Sequence, residues 1–324
     1  MATNRPISST KQNRRYPLAV RRNMSPSTTK YTLIIPHHNS PQLLQRCLDS
    51  VPMRDDLEII VIDDNSDPAI VNFTQFPGRD RSDTTLYFTK EGRGAGYARN
   101  VGLDHARGEW ILFADADDYF YTENLIKLLD MDIPGEYDVV AYGARYVCSD
   151  KSEHWYGAYN DKEPDSTVIV DDTHIPFLYR RLVTPWIKMV KRSLIQRHGI
   201  RFEEVMYGND EVYSARVALA VNHFGKVNLP VYHYEKLSTG LVGSTDIKAL
   251  MIRWDGLLLK ELLIKQGGYS VYDQSLLFYE AFQKHRYRLI RCAIKEGYTL
   301  GWRKAWRDYS EYCRSHSISR IPFI

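Results

Sequence analysis

Four apolar runs, "YTLII" (31–35), "LEIIVI" (57–62), "TLYFT" (85–89) and "EWILFA" (109–114), constrain this chain more than anything else in it. A strand that is apolar on consecutive residues is buried on both faces, the condition of a strand inside a parallel sheet. Helical patterns fall between and after these runs. "PQLLQRCLDSV" sets Leu43, Leu44, Cys47, Leu48 and Val51 at helical spacing, and Pro41 suits a first helical turn, where no partner awaits its missing N–H. "GAGYARNVGLDHA" and "TENLIKLLD" read as two more helices, the second with Thr122 as its N-cap, and "YDVVAYGARYV" reads as a further strand. The alternation predicts an α/β fold, a mostly parallel, Rossmann-like sheet flanked by helices.

Charge divides the chain into three parts. Residues 1–30 carry seven Lys/Arg and no acid, and residues 251–324 carry 13 Lys/Arg against seven acids. With a total of +3, residues 31–250 stand at −10. An acidic body between basic ends argues against nucleic acid as a partner and suits a cation-dependent site in the middle. Cys47, Cys148, Cys292 and Cys313 show neither C-x-x-C pairing nor metal spacing, so they read as thiols of a reducing, cytoplasmic compartment. No apolar stretch reaches the roughly 18–20 residues of a membrane span.

Residues 1–29 lack periodicity and read as a disordered basic tail, with an organelle transit peptide or a membrane-contacting arm as alternatives. Residues 30–240 form the expected catalytic domain and 241–324 a helical C-terminal extension. In "QKHRYRLIRCAIKEG", Lys284, Arg288, Arg291 and Lys295 share one helical face. That face is either solvated on a packed helical pair or a peripheral patch for anionic membrane lipid.

In open α/β sheets, ligands bind beyond the carboxyl ends of the strands. Two acidic clusters fall there, "DDNSD" (63–67) and "DADD" (115–118). Helix capping explains either one alone; both together, after two apolar strands, point to a site. Asp115, Asp117 and Asp118 repel one another unless a cation or donors offset them. His37 and His38 are adjacent on one loop, which argues against a metal pair. "GRGAGYARN" offers glycines for close backbone approach, with Arg93 and Arg99, but Tyr97 breaks the dinucleotide fingerprint.

Taken in order, "YTLIIPHHNSPQLLQRCLDSV", "LEIIVIDDNSD", "GRGAGYARNVGLDHARGEWILFADADD" and "GNDEVYSARVAL" resemble glycosyltransferase family 2 over about residues 31–235. The resemblance implies a GT-A fold and inverting transfer from a nucleotide-sugar, expected to be a UDP-sugar. Asp115, Asp117 and Asp118 look like the family's D-x-D motif. They would hold Mn²⁺ or Mg²⁺ and the donor's ribose and diphosphate, with Asp117 or Asp118 as direct ligand. Asp64 matches the residue that accepts from the base of the nucleotide, and Pro36 and His37 match the loop against the nucleoside. Arg99 matches the Arg that faces donor phosphate or ribose, and Arg93 joins it in the same segment. His233 stands where a His completes the metal shell in some GT-A enzymes, with a core histidine as the alternative reading. Asn209-Asp210 occupies the position of the family's Glu-Asp pair, so Asp210 is the expected general base and Glu211 the runner-up. Asn209 reads as the N-cap of that helix.

The chemistry asks for these types independently. Hard cations and diphosphates take oxygen ligands, and a carboxylate must receive the acceptor's proton as its oxygen attacks. Trp186 in "TPWIKMV" is expected beneath the acceptor site, and "STGLVGS" (238–244) as a loop closing over the donor. The expected acceptor is a glycan or lipid-linked glycan of surface polysaccharide synthesis, handled at the cytoplasmic face of the membrane. Two alternatives stand beside this reading. A sugar nucleotidylyltransferase should carry a Gly-rich phosphate loop where "PHHNSPQ" lies. A non-catalytic nucleotide-sugar-binding or scaffold protein would fit the Asn at 209.

Overall fold

A computed structural model of the protein describes residues 19–20, 29–147, 152–171, 182–206, 208–235, 260 and 263. The loop expected at 238–244, the basic face at 284–295 and all but three residues of the tail lie outside the described residues.

The strands are β1 (Ala19–Val20), β2 (Tyr31–His37), β3 (Leu57–Asp64), β4 (Thr84–Thr89), β5 (Trp110–Phe113) and β6 (Tyr119–Phe120). They continue with β7 (Val139–Val147), β8 (Glu153–Gly157), β9 (Val170–Asp171), β10 (Lys188–Lys191) and β11 (Phe224–His233). The main helices are α1 (Pro41–Asp49), α2 (Ala95–His105), α3 (Thr122–Leu129), α4 (Arg192–His198) and α5 (Asn209–Ala220). One mixed sheet runs β1-β4-β3-β2-β5-β10-β7-β11-β6, with β8 added to β7 and β9 to β11.

The four apolar runs form the parallel block β4-β3-β2-β5, with Leu33 opposite both Ile59 and Leu112. Every residue of β2 and β3 is buried, as continuous apolar runs require. Burying each of Ile34, Ile35, Val61 and Ile62 contributes roughly 1.5–3 kcal/mol relative to exposure. β10 then pairs antiparallel with both β5 and β7, and β11 lies parallel to β7.

Helix α2 packs onto the parallel block, and its sequence shows how closely. A Cβ at Gly102 would collide with the Ile34 side chain, and one at Gly96 with the Glu203 carbonyl. These two glycines of "GAGYARNVG" thus permit close approach, but to the protein's own sheet and loop. Two capping expectations are corrected. Thr122 is the first residue of α3 rather than its N-cap, and its hydroxyl donates to the Ser50 carbonyl at 2.9 Å. Asn209 is likewise the first residue of α5. Gly208, at φ 68°, precedes it, because the left-handed turn into this helix favours a residue without Cβ. Among the described residues no helix is long and apolar enough to cross a membrane.

Candidate active site

β2, β3 and β5 run in the same direction, so the residues at their carboxyl ends converge on one edge. His37 ends β2, Asp63 and Asp64 end β3, and the 115–118 segment follows β5. This is the edge where the sequence placed the site.

The first loop is held by His37 and Asp63. His37 Nε2 accepts from the Ser40 N–H at 3.1 Å, and its Nδ1 lies 2.8 Å from Asp63 Oδ2. The Ser40 bond leaves Nδ1 as the donor to Asp63. His37 is buried with both ring nitrogens engaged, so it braces this loop and offers no free nitrogen to a metal. Asp63 also accepts from the Ser66 N–H at 3.1 Å and the Ser66 hydroxyl at 2.5 Å. Asp64 turns the other way. It accepts from the Thr89 hydroxyl at 2.8 Å and the Gly94 N–H at 2.6 Å, which ties β3 to the loop entering α2. Arg93, on that loop, pairs with Glu204 at 2.5 Å and lies over the Tyr97 ring. Its guanidinium is at the rim of the site rather than among the Asp residues.

Asp115, Asp117 and Asp118 present ligand atoms that all lie within 4.8 Å of one another. Each has a different surrounding. Asp118 is buried, and both its oxygens are taken: the Tyr232 hydroxyl donates at 2.8 Å and the Glu235 N–H at 2.7 Å. The same Tyr232 hydroxyl accepts from the Asp115 N–H at 2.9 Å. Asp115 is ion-paired with Arg99. Asp117 receives no hydrogen bond from another side chain among the described residues, though the Arg46 guanidinium donates to its carbonyl at 2.5 Å. Burial first, then the charge of Asp115, pushes the Asp117 carboxyl up to about 6. Burial and both neighbours push Asp118 well above the carboxylate range. The cluster is therefore short of positive charge as it stands, and its oxygen-only atoms are the set that hard divalent cations take.

His233 does not join this group. β11 directs Tyr232 to Asp118, whereas His233 stacks on Tyr119 at 4.3 Å with its Nδ1 2.9 Å from the Tyr121 hydroxyl. Successive side chains leave a strand on opposite faces, so neighbours in sequence part company here.

Arg99 connects the cluster to the start of α5. Its guanidinium pairs with Asp115 and donates to Asn209 Oδ1 at 2.8 Å, and it lies over the Phe202 ring. Asn209 is thereby committed, and the next two residues face different partners. Glu211 is ion-paired with the buried Lys260 at 2.5 Å. No cation holds Asp210 in this way among the described residues. Burial first, then Glu211, pushes the Asp210 carboxyl up to about 6. A carboxyl poised there can accept a proton near neutral pH.

Trp186 lies in a turn (Pro185–Ile187) and stacks on Tyr232 at 4.8 Å, so it backs the residue that holds Asp118 and Asp115. Lys188, just after it, is buried and donates to the Leu182 and Thr184 carbonyls at 2.6 and 2.8 Å and to the Ser214 hydroxyl at 3.1 Å. Burial lowers its amine to about 7. It ties the Trp186 turn to α5. Tyr232, Arg46 and Lys260 carry no motif, so sequence reasoning missed them. The signal available for Tyr232 was its place one residue from His233 on a strand.

A carboxylate cluster thus lies at the strand ends of an α/β sheet, tied by an arginine to an acidic helix start. The family model described as "Glycosyl transferase family 2" matches residues 32–198, and the chain belongs to that family. It is a glycosyltransferase with a GT-A fold. It is 26% identical over 83% of its length to an uncharacterised glycosyltransferase, YibD of Escherichia coli K12, of which it covers 79%. It is 30% identical over 56% of its length to the GalNAc(5)-diNAcBac-PP-undecaprenol β-1,3-glucosyltransferase of Campylobacter jejuni, covering 57% of that protein. Among solved structures it resembles Staphylococcus aureus TarS in complex with UDP-GlcNAc. The TM-score is 0.61 at 19% identity, over 79% of this chain and 72% of that one, a likeness of fold.

Proposed function

We propose that the chain transfers a sugar from a UDP-sugar to a hydroxyl of a glycan or lipid-linked glycan, with inversion and with the help of Mn²⁺ or Mg²⁺. The observation that carries this reading is the Arg99 bridge, which couples the Asp115 cluster to the helix start bearing Asp210. Asp117 and Asp115 are the residues that would hold the cation, since Asp118 already accepts two internal hydrogen bonds. A bound cation would supply positive charge to the diphosphate as the nucleoside diphosphate departs. Asp64 and the loop of Pro36 and His37 line the nucleoside side, and Arg99 faces the donor.

Asp210 takes the proton of the acceptor hydroxyl as that oxygen attacks the anomeric carbon. Its raised carboxyl suits a base working near neutral pH, whereas Glu211 is committed to its ion pair with Lys260. The acceptor class is supported by a relative named for an undecaprenol-linked glycan.

The test is calorimetric binding of a panel of nucleotide-sugars with and without Mn²⁺, followed by release of nucleoside diphosphate. UDP-sugar binding should weaken strongly in chelator and return with the ion. Equal affinity in both conditions defeats the metal-dependent reading.

A further inference from the structure

Tyr146 on β7, Tyr156 on β8, Trp186 in its turn and Tyr234 just after β11 form a wall of rings. Tyr156 lies 6.0 Å from Trp186, tilted by 50°, and 6.3 Å from Tyr146. Tyr146 stands nearly edge-on to Tyr234 at 6.0 Å, and Tyr234 stacks on Trp186 at 5.7 Å. Trp186 is buried, but Tyr156 is 45% exposed.

The wall is anchored at both ends of the site. Through Trp186 and Tyr232 it abuts Asp118. Through Lys188 it is tied to Ser214, one helical turn beyond Asp210 on α5. Burial first, then the Tyr146 hydroxyl and the Glu211 and Asp210 carboxylates, raise the Tyr156 phenol, as neighbours would. An exposed ring in this position covers itself best with something apolar on one face.

We propose that Tyr156, with Tyr146 and Tyr234, forms the acceptor subsite and that it takes a neutral pyranose, stacked through its C–H face. This rests on Asp210 being the base. The hydrogens on a sugar's apolar face carry slight positive charge and the face of an aromatic ring slight negative charge, so the two surfaces match. Charge selects against the other common acceptor chemistry, a polyol-phosphate chain. Asp210, which no cation holds among the described residues, would repel its phosphates. The nearby cations are committed: Arg145 is paired with Glu153 and lies over the Trp155 ring, and Lys260 is paired with Glu211.

The test is saturation-transfer NMR on the full chain with UDP and Mg²⁺. Methyl β-glucopyranoside and methyl N-acetyl-β-glucosaminide serve as ring probes, and ribitol phosphate as the acyclic, anionic one. Ring probes should receive saturation mainly at the hydrogens of one face, and ribitol phosphate little. Tyr156→Ala should weaken ring binding about 5- to 10-fold, and Tyr156→Phe should keep it. UDP affinity should be the same in parent and variants. The subsite is overturned if the parent binds no ring probe, if Tyr156→Ala binds them as the parent does, or if ribitol phosphate binds more strongly. UDP binding lost only in Tyr156→Ala would assign the ring to the donor and overturn it too. UDP failing to bind the parent would remove the glycosyl-transfer reading, and the subsite with it.

Discussion

At 115–118, three carboxylates crowd together after a strand; at 209–211, an amide and two carboxylates open a helix. Both places put like charges side by side, and both separate them by partner. Asp118 is tied by Tyr232 and the Glu235 N–H, while Asp117 is left open. Glu211 is tied by Lys260, while Asp210 is left open. Arg99 is shared between the two through Asp115 and Asn209. Adjacent acids of the same chemistry thus acquire different surroundings, one held and one open, from what their neighbours donate. The difference lies in the counter-charge. Asp115 shares the Arg99 guanidinium with Asn209, whereas Glu211 is paired with Lys260.

The sharpest break of this comparison is at the open acid of the helix. Asp210→Asn keeps the size of the side chain but cannot take a proton. Transfer should fall at least about 100-fold, since general-base loss costs about 10²–10⁴ in rate. UDP-sugar affinity with metal should stay near the parent's. Glu211→Gln should lose far less rate. The check is transfer rate and donor affinity for both variants on one acceptor. Near-parent transfer by Asp210→Asn with failure of Glu211→Gln would move the base one residue along.

The open acid of the first cluster should respond differently. Asp117→Asn is expected to weaken UDP-sugar binding in Mn²⁺ by about tenfold or more and to slow transfer as well. Calorimetry in metal and in chelator reads this directly. A variant that binds the donor as the parent does in metal would make Asp117 a bystander.

The parts of this architecture visible in the sequence were those carried by local pattern. The runs around Leu33, Ile60, Leu86 and Ile111 revealed the parallel block because burial on both faces leaves few polar positions to confuse the period. The acids at 115–118 and 210–211 stood out because clustered carboxylates are costly without a reason. What stayed hidden was every partner set by long-range pairing. Asn209 looked like a cap, yet its side chain serves Arg99, 110 positions away in sequence. His233 looked like a ligand, but the pleat of β11 sends Tyr232 to the cluster and His233 to Tyr119 and Tyr121. Lys260 lay in a stretch whose basic residues suggested lipid, and it meets a carboxylate of the helix start.

The tied acid of the helix is expected to matter for stability rather than rate. Glu211→Gln leaves Lys260 buried without its counter-charge, which should cost about 1–3 kcal/mol. Lys260→Met combined with Glu211→Gln should recover part of that loss, because the buried charge then goes as well. Urea unfolding of the two single variants and the pair measures the coupling. Additive losses would show that the ion pair contributes nothing as a pair.

The open acid should behave in the opposite sense, and pH decides the sign. The folded state raises the Asp210 carboxyl from 3.8 to about 6, so it binds a proton more tightly than the unfolded chain does. Its stabilising contribution is therefore fully present below about 3.8 and is lost as pH rises through about 6. Above that, the folded protein holds a desolvated charge beside Glu211. Asp210→Asn removes the charge. A shift of roughly two units corresponds to roughly 3 kcal/mol at most, and partial solvent screening reduces it. Losing an acid from the first helical turn takes back about 0.3–1 kcal/mol. The net expectation is that Asp210→Asn is more stable than the parent by about 1–2 kcal/mol at pH 7.5, with the gain shrinking towards pH 5. Urea midpoints for parent and variant at the two pH values check it. A gain of the same size at both, or a loss at pH 7.5, would mean that Asp210 is not held uncomfortably in the fold, and its contrast with Glu211 would go.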